Sequence, residues 1–286
     1  MTPVPPRFRR GITLAATGLL ALESVRRGLV SGSFAESFPM GVAAWSAFLL
    51  PTLFRNCPWN GPVTRTFKTQ AREVWLTIDD GPDPADTPEI LEVLGNHQAT
   101  ATFFAIGRRV EEHPDLAAAV TRAGHPMQSH TYSHPSASFW AAGPARVRQE
   151  LGDGIRVIRE STGIQPTQFR SPAGLSNPFV HARVSQLGLQ MVGWSVAGFD
   201  GVPHSPDAVV QRVLAGIRPG AILLLHEGPA LGMKPGTRAR TLARILAGLD
   251  SAGYRTVIPA LGNAAALHGE VGKPPLEMGF DLRRKR

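Results

Sequence analysis

From residue 72 to residue 258, short apolar, β-branched or aromatic runs alternate with stretches that carry helix signals. Runs at 74–78, 101–106, 125–129, 167–170, 190–196, 221–225 and 255–258 read as strands. Helices are predicted at 143–161, 177–187, 206–217 and 237–251. Two more open at Asp86-Thr87-Pro88-Glu89, with a capping residue and Pro at the first position, and at His113-Pro114-Asp115, the latter ending at Gly124. Repeated strand–helix units require a parallel sheet covered by helices, here closing toward a barrel. That is an α/β fold class, with no internal repeat and no low-complexity segment.

Polar motifs sit where the predicted strands end: Thr77-Ile78-Asp79-Asp80-Gly81-Pro82, His130-Thr131-Tyr132-Ser133-His134, Arg170-Ser171-Pro172, Asp200, and Leu224-Leu225-His226. In barrel-like α/β proteins the C-terminal ends of the strands share one mouth. The scattered motifs therefore belong to a single site.

Neutral imidazole is the commonest metal ligand. Alone, the spacing of His130 and His134 is a weak signal, and adjacent aspartates alone are as readily a solvated turn. Together they offer two histidines and a carboxylate, Asp80, which with a water make a catalytic zinc arrangement. Bonds of about 2 Å to one ion would bring the three ligating atoms within about 4 Å of each other. A metal on Asp80 leaves its neighbour Asp79 free as a base, with Arg170 as its counter-charge. His226 ends a run apolar enough to be buried, so it reaches the mouth, and Asp200 could hold its second ring nitrogen and make it a competent acid.

Residues 72–262 resemble the polysaccharide deacetylase family, also called NodB-homology or carbohydrate esterase family 4, through TxDDGP, HxxxH, RxP and LLH in that order. The resemblance implies a distorted (β/α) barrel and metal-dependent removal of N-acetyl groups from amino sugars. It implies Asp79 as base, and Asp80, His130 and His134 as ligands of a divalent metal, zinc first. Arg170 would orient the base, His226 would be the general acid and Asp200 its tuner.

The chain also departs from the family. Ala173 follows the proline of the third motif, where the family usually has an aromatic. Its N–H can still donate to an oxyanion. Ala197 and Gly201 replace a common aspartate and tryptophan. Trp140, Phe139, Phe179 and Phe199 are candidates for rebuilding an apolar wall or for plain core. These departures leave the substrate open: a polysaccharide, peptidoglycan or a lipid-linked sugar. Hydrolysis of a formyl group or an O-acyl ester, and a glycan-binding pseudoenzyme, remain as alternatives.

Charge divides the chain into 1–71, 72–262 and 263–286. The middle part holds 17 basic and 17 acidic residues, the first part eight and two, and the last part five and three. A nucleic-acid partner would call for a basic patch on the folded domain, so none is expected. Two apolar stretches, 11–22 and 38–54, lie between arginines, which suits anionic lipid head groups. They span roughly 18 and 25 Å as helices, against a hydrocarbon core of about 30 Å. The first is short and resembles a signal-peptide core, but no small-x-small cleavage site follows, so both read as retained hydrophobic helices. The expectation is a protein of the bacterial inner membrane, with the side of the catalytic domain open because arginines flank both ends. The basic tail after 263 reads as mostly disordered. One cysteine, Cys57, excludes an internal disulfide.

Overall fold

The computed structural model describes residues 50–201, 205–228 and 234–261, with isolated positions ahead of residue 50. The strands are β1 (Glu73–Asp79), β2 (Ala101–Ala105), β3 (Met127–Ser129), β4 (Gln168–Phe169), β5 (Gln190–Met191), β6 (Val196–Ala197), β7 (Ala221–His226) and β8 (Arg255–Thr256). The helices are α1 (Thr87–Asn96), α2 (Gly107–Glu112), α3 (Pro114–Arg122), α4 (Pro144–Thr162), α5 (Pro178–Gln186), α6 (Pro206–Gly216) and α7 (Thr237–Ser251). Strands run in the order β5-β4-β3-β2-β1-β7-β6, all parallel, and β8 pairs with the start of β1.

Parallel strands are buried on both faces and therefore read as nearly continuous apolar runs. Successive side chains still alternate sides. Val74, Leu76 and Ile78 of β1 point outward and pack with Ile90 and Leu94 of α1 and Leu242, Ile245 and Leu249 of α7. Trp75, Thr77 and Asp79 point into the curl of the sheet. There Trp75 packs with Phe104, Val192 and Ile222, and its indole N–H donates to Thr102 at 2.8 Å. Truncating a buried aromatic of this size costs about 3–5 kcal/mol. A filled interior carries Asp79 to the mouth and leaves no pore beneath it.

The distorted barrel of the sequence reading takes the form of a curled parallel sheet. Among the described residues β5 and β6 share no ladder. The run 190–196 is two strands, because the chain leaves the β4 edge at Met191 and joins the β7 edge at Val196. It reads as one strand because both ends are buried. Residues 64–67 cross the open side, bridging Thr64 to Val192 and Thr66 to Ala221. These residues lie ahead of 72–262, the segment that carries the resemblance, yet they pack on the sheet. The helix α2 was not read from the sequence. Asp86 stands at the N-cap of α1, but its side chain makes no cap hydrogen bond.

The apolar stretch 11–22, most of 38–54 and the basic tail lie outside the described residues. Among those described, no helix is long and apolar enough to cross a membrane. The end of the second stretch is a 3-10 turn, Leu50–Leu53, with Leu50, Leu53 and Phe54 exposed.

Candidate active site

Because all strands are parallel, their C-terminal ends lie on one edge. Asp79 ends β1 and His226 ends β7, and the two are register partners. His130 follows β3, Arg170 follows β4, and Asp200 lies beyond β6. Asp79, Asp80, His130, His134, Ala173 and His226 line one cavity of about 350 Å³.

Arg170 is fully buried and spends its planar fork of donors on the strand ends. Nη1 donates to Asp79 Oδ1 at 2.6 Å and to Thr77 Oγ1 at 2.8 Å. Nη2 donates to the Gly193 carbonyl at 3.0 Å. The guanidinium lies 4.1 Å from the centre of the Phe104 ring. Burial pushes the Asp79 carboxyl above the usual range, against the opposing charges of Arg170 and His226. Its second oxygen, Oδ2, lies 3.7 Å from His130 Nε2.

Asp80 Oδ1 lies 3.5 Å from His130 Nε2 and 3.4 Å from His134 Nε2. All three ligand atoms fall within 4.8 Å of one another, somewhat wider than the sequence expectation. Asp80 Oδ1 is buried with no hydrogen-bond partner. His130 Nδ1 is paired with the Arg170 carbonyl at 2.8 Å, which leaves Nε2 facing the cluster. Burial, aided by the charge of His134, pushes His130 down to about 3, so its imidazole is neutral and able to ligate. An orphaned carboxylate oxygen between two imidazoles fits a divalent cation.

Backbone in unfavourable regions builds this cluster. Asp80, Thr131, His134, Ala173 and Phe199 all have positive φ, between 52° and 77°. Such residues persist where the surroundings over-determine them. The histidine loop is held by Glu150 of α4, which accepts from the amides of Tyr132 and Ser133 at 3.0 and 2.8 Å. Gly154, one turn on, lets α4 close in: a Cβ there would lie 2.9 Å from the Thr131 carbonyl oxygen.

His226 is held by Asp200. Burial pulls its imidazole down, but the Asp200 hydrogen bond and charge, with Asp79 and Asp80 adding, push it up to about 9. Behind this pair sits Arg238, buried in the first turn of α7. It donates to the His226 carbonyl at 2.8 Å and to Asp200 Oδ2 at 3.3 Å, and its Nε lies 3.2 Å from Asp86. Asp86 in turn accepts from Gly228 N at 2.8 Å. Asp86 is thus linked through Arg238 to the His226–Asp200 pair.

Ala173 lines the cavity, and its amide meets no backbone acceptor among the described residues. The apolar wall is Trp194, Phe199 and Leu224. Of the four aromatics considered from sequence, only Phe199 lines it. Phe139 is fully buried in a separate cluster with Phe169, and Trp140 and Phe179 are not among the lining residues. Trp194 was missed.

Arg238 and Glu150 were also missed, as was Arg55, which lines the same cavity. A cation in the first turn opposes the helix dipole unless something anionic meets it, and that is a usable signal for Arg238. A glutamate on the apolar stripe of Val147, Leu151 and Ile158 is one for Glu150.

Fold and site together place Asp79, His226 and a cluster of Asp80, His130 and His134 that could hold a metal ion at the mouth of a parallel α/β sheet. The polysaccharide deacetylase family profile matches residues 67–192. A chitooligosaccharide deacetylase from Bradyrhizobium sp. is 42% identical over 158 residues, 55% of this chain and 71% of the relative. A peptidoglycan-N-acetylglucosamine deacetylase from Bacillus cereus is 34% identical over 199 residues, 69% of this chain and 91% of the relative. The solved structure of a CE4 family pseudoenzyme from Bacillus anthracis superposes with a TM-score of 0.61 at 28% identity, covering 67% of this chain and 65% of that one. The chain belongs to the polysaccharide deacetylase family, hydrolases of the carbon–nitrogen amide bond of N-acetylated sugars.

Proposed function

We propose that this protein is a metal-dependent deacetylase of N-acetylated amino sugars in a bacterial envelope glycan. The observation that carries the reading is the placement of Asp79 and His226 across from each other, with the Asp80, His130 and His134 cluster in the same cavity. Those three residues would hold the cation, zinc by the chemistry of the donor set, and when bound it supplies Lewis acidity toward the acetamide carbonyl and a water.

The residues of the chain do the rest. Asp79, fixed by Arg170, accepts the proton of the attacking water. The amide of Ala173 donates to the oxyanion that forms on the acyl carbon. His226, protonated at neutral pH, gives its proton to the sugar nitrogen as the C–N bond breaks. Acetate leaves, and a neutral sugar becomes a cationic amine. Asp200 and Arg238 keep the imidazole oriented throughout.

Small residues at Ala173, Ala197 and Gly201 widen the cavity, and this favours keeping one second reading, hydrolysis of another acyl group such as formyl or an O-acyl ester. A pseudoenzyme role is disfavoured by the joint presence of base, triad and acid. The test is mass spectrometry of N-acetylglucosamine oligomers, peptidoglycan fragments and lipid-linked sugars incubated with the zinc-loaded protein. A mass loss of one acetyl group, abolished in Asp79→Asn, supports the reading. Intact acetamides beside cleaved formamides or esters would replace it with the second.

A further inference from the structure

Arg55 lines the same cavity as the triad, the base and the acid, and it comes from outside the family match. It is the one lysine or arginine among the described lining residues. Arg55 is exposed, and its side chain has no hydrogen-bond or ion-pair partner among the described residues. An unpaired arginine on an open surface would mean nothing. This one is fixed at the mouth by its neighbour Asn56, buried and at φ 54°. Asn56 N donates to the Gly174 carbonyl at 2.8 Å, and its side chain donates to the Trp194 carbonyl at 3.3 Å. Arg55 is thus tied to the turn that carries Ala173 and to the apolar wall.

We propose that Arg55 reads a phosphate ester on the acylated amino sugar, so that the substrate is a sugar phosphate rather than a neutral oligomer. The inference rests on the deacetylase reading above and adds the substrate class. A guanidinium fork matches a phosphate bidentately. A neutral amino-sugar chain has no group that needs a permanent cation there. Phosphate is the choice over a carboxylate because the residues beside Arg55, Leu53 and Phe54, are apolar and 52% and 63% exposed. Cation and apolar surface side by side match the junction of a phosphate with a lipid chain.

The experiment compares three substrates with the full-length zinc-loaded protein: N-acetylglucosamine 1-phosphate, its dodecyl phosphodiester, and the neutral dodecyl glycoside. Acetate release gives kcat/KM for each. Calorimetric binding of glucose 1-phosphate, which has no acyl group, is measured separately. The phosphorylated sugars should exceed the glycoside by roughly 10- to 100-fold, the range for a hydrogen bond to a charged group. That ratio should fall toward one in Arg55→Ala, and Arg55→Lys should keep part of it. A preference for the diester over the free phosphate assigns the phosphate to a lipid carrier; equal use assigns it to a soluble sugar phosphate. Equal acetate release from neutral and phosphorylated sugars overturns the phosphate site and leaves the deacetylase standing. Arg55-dependent binding of glucose 1-phosphate without any acetate release sustains the site and overturns the deacetylase. No binding and no release overturn both.

Discussion

Asp200 holds His226 at two points: Oδ1 meets the ring Nδ1 at 2.8 Å, and Oδ2 accepts from the His226 amide at 2.9 Å. One carboxylate therefore fixes both the tautomer and the backbone of the same residue. Nε2 is left as the nitrogen that can give up a proton to the cavity. Orientation and proton affinity have a common origin.

That origin sets a pH dependence. His226 is pushed up to about 9, so the acid is present below that value and lost as pH rises through it. The profile of kcat/KM should fall on its alkaline side near pH 9. Asp200→Asn removes the charge that raises the imidazole, so this limb should move toward lower pH. His226→Ala should cost about 10²–10⁴ in rate on amides. It should cost less on an aryl ester, whose leaving group needs no proton. An alkaline limb that stays in place in Asp200→Asn would contradict the assignment.

Asp79→Asn is expected to abolish turnover and keep the metal, since Asp80, His130 and His134 are untouched. It should also destabilise the fold. Arg170 is fully buried, and losing the partner of a buried ion costs about 3–5 kcal/mol. Stability loss in this variant is therefore no sign of ligation. Metal content by mass spectrometry decides: a metal-free Asp79→Asn protein would make Asp79 a ligand rather than the base.

Zinc added to chelator-stripped protein should raise the melting temperature, because an ion that binds the folded state alone stabilises it by mass action. One equivalent should bind. Asp80→Ala and His130→Ala should abolish both the binding and the rise. Asp80 Oδ1 has no other partner to lose, so its removal leaves no further bond broken at that atom. A stripped protein that melts and reacts as before would remove the metal from the mechanism.

What the sequence made legible follows from locality. A strand-end motif needs only the strand and the residues after it, so Asp79, Asp80, His130, His134, Arg170 and His226 were readable one segment at a time. What escaped depends on distant segments meeting. Arg238 is 38 residues from Asp200, and Arg55 reaches the mouth only because Asn56 docks on a turn more than a hundred residues later. The split of 190–196 escaped for the same reason: hydropathy reports burial, and both edges joined by that run are buried. The part Asp86 plays escaped likewise, because its carboxylate meets Gly228 and Arg238, far along the chain.

Glu227 offers a check on the loop that carries Asp80. Its carboxyl lies beneath Gly81, where a Cβ would strike it, and it is hydrogen-bonded to Thr87. Burial pushes it up to about 8, against the pull of the Thr87 bond. A raised folded value means the protonated form stabilises the fold. That contribution is complete below the unfolded value near 4.5 and is lost as pH rises toward 8. Glu227→Gln cannot ionise. The melting temperature of the variant relative to the native protein should climb between pH 4.5 and 8 and level off above. Parallel curves over that range would mean the carboxyl is ionised in the folded protein.

The last expectation concerns the start of the catalytic unit. Thr64 N donates to the Met191 carbonyl at 2.9 Å, Gly193 N to the Thr64 carbonyl at 2.8 Å, and Phe67 N to the Gly220 carbonyl at 2.9 Å. Phe67 also packs on the Trp75 cluster. At about 0.5–1.5 kcal/mol per hydrogen bond, with the apolar packing added, removing this strap takes away a large share of a typical stability of about 5–15 kcal/mol. A chain shortened to begin at Gln70 should melt early or not fold. One beginning at Leu50 keeps the strap and Arg55, and should fold and bind zinc. The excess of basic over acidic residues ahead of 72, eight against two, and the apolar stretches between arginines motivate the remaining proposal, that the residues before Leu50 hold the protein at a membrane. Fractionation tests it: full-length protein should sediment with membranes and need detergent, while the chain from Leu50 should not. Full-length protein that remains in the supernatant without detergent would rule the anchor out, and a chain from Gln70 as stable as the one from Leu50 would show that the strap is dispensable.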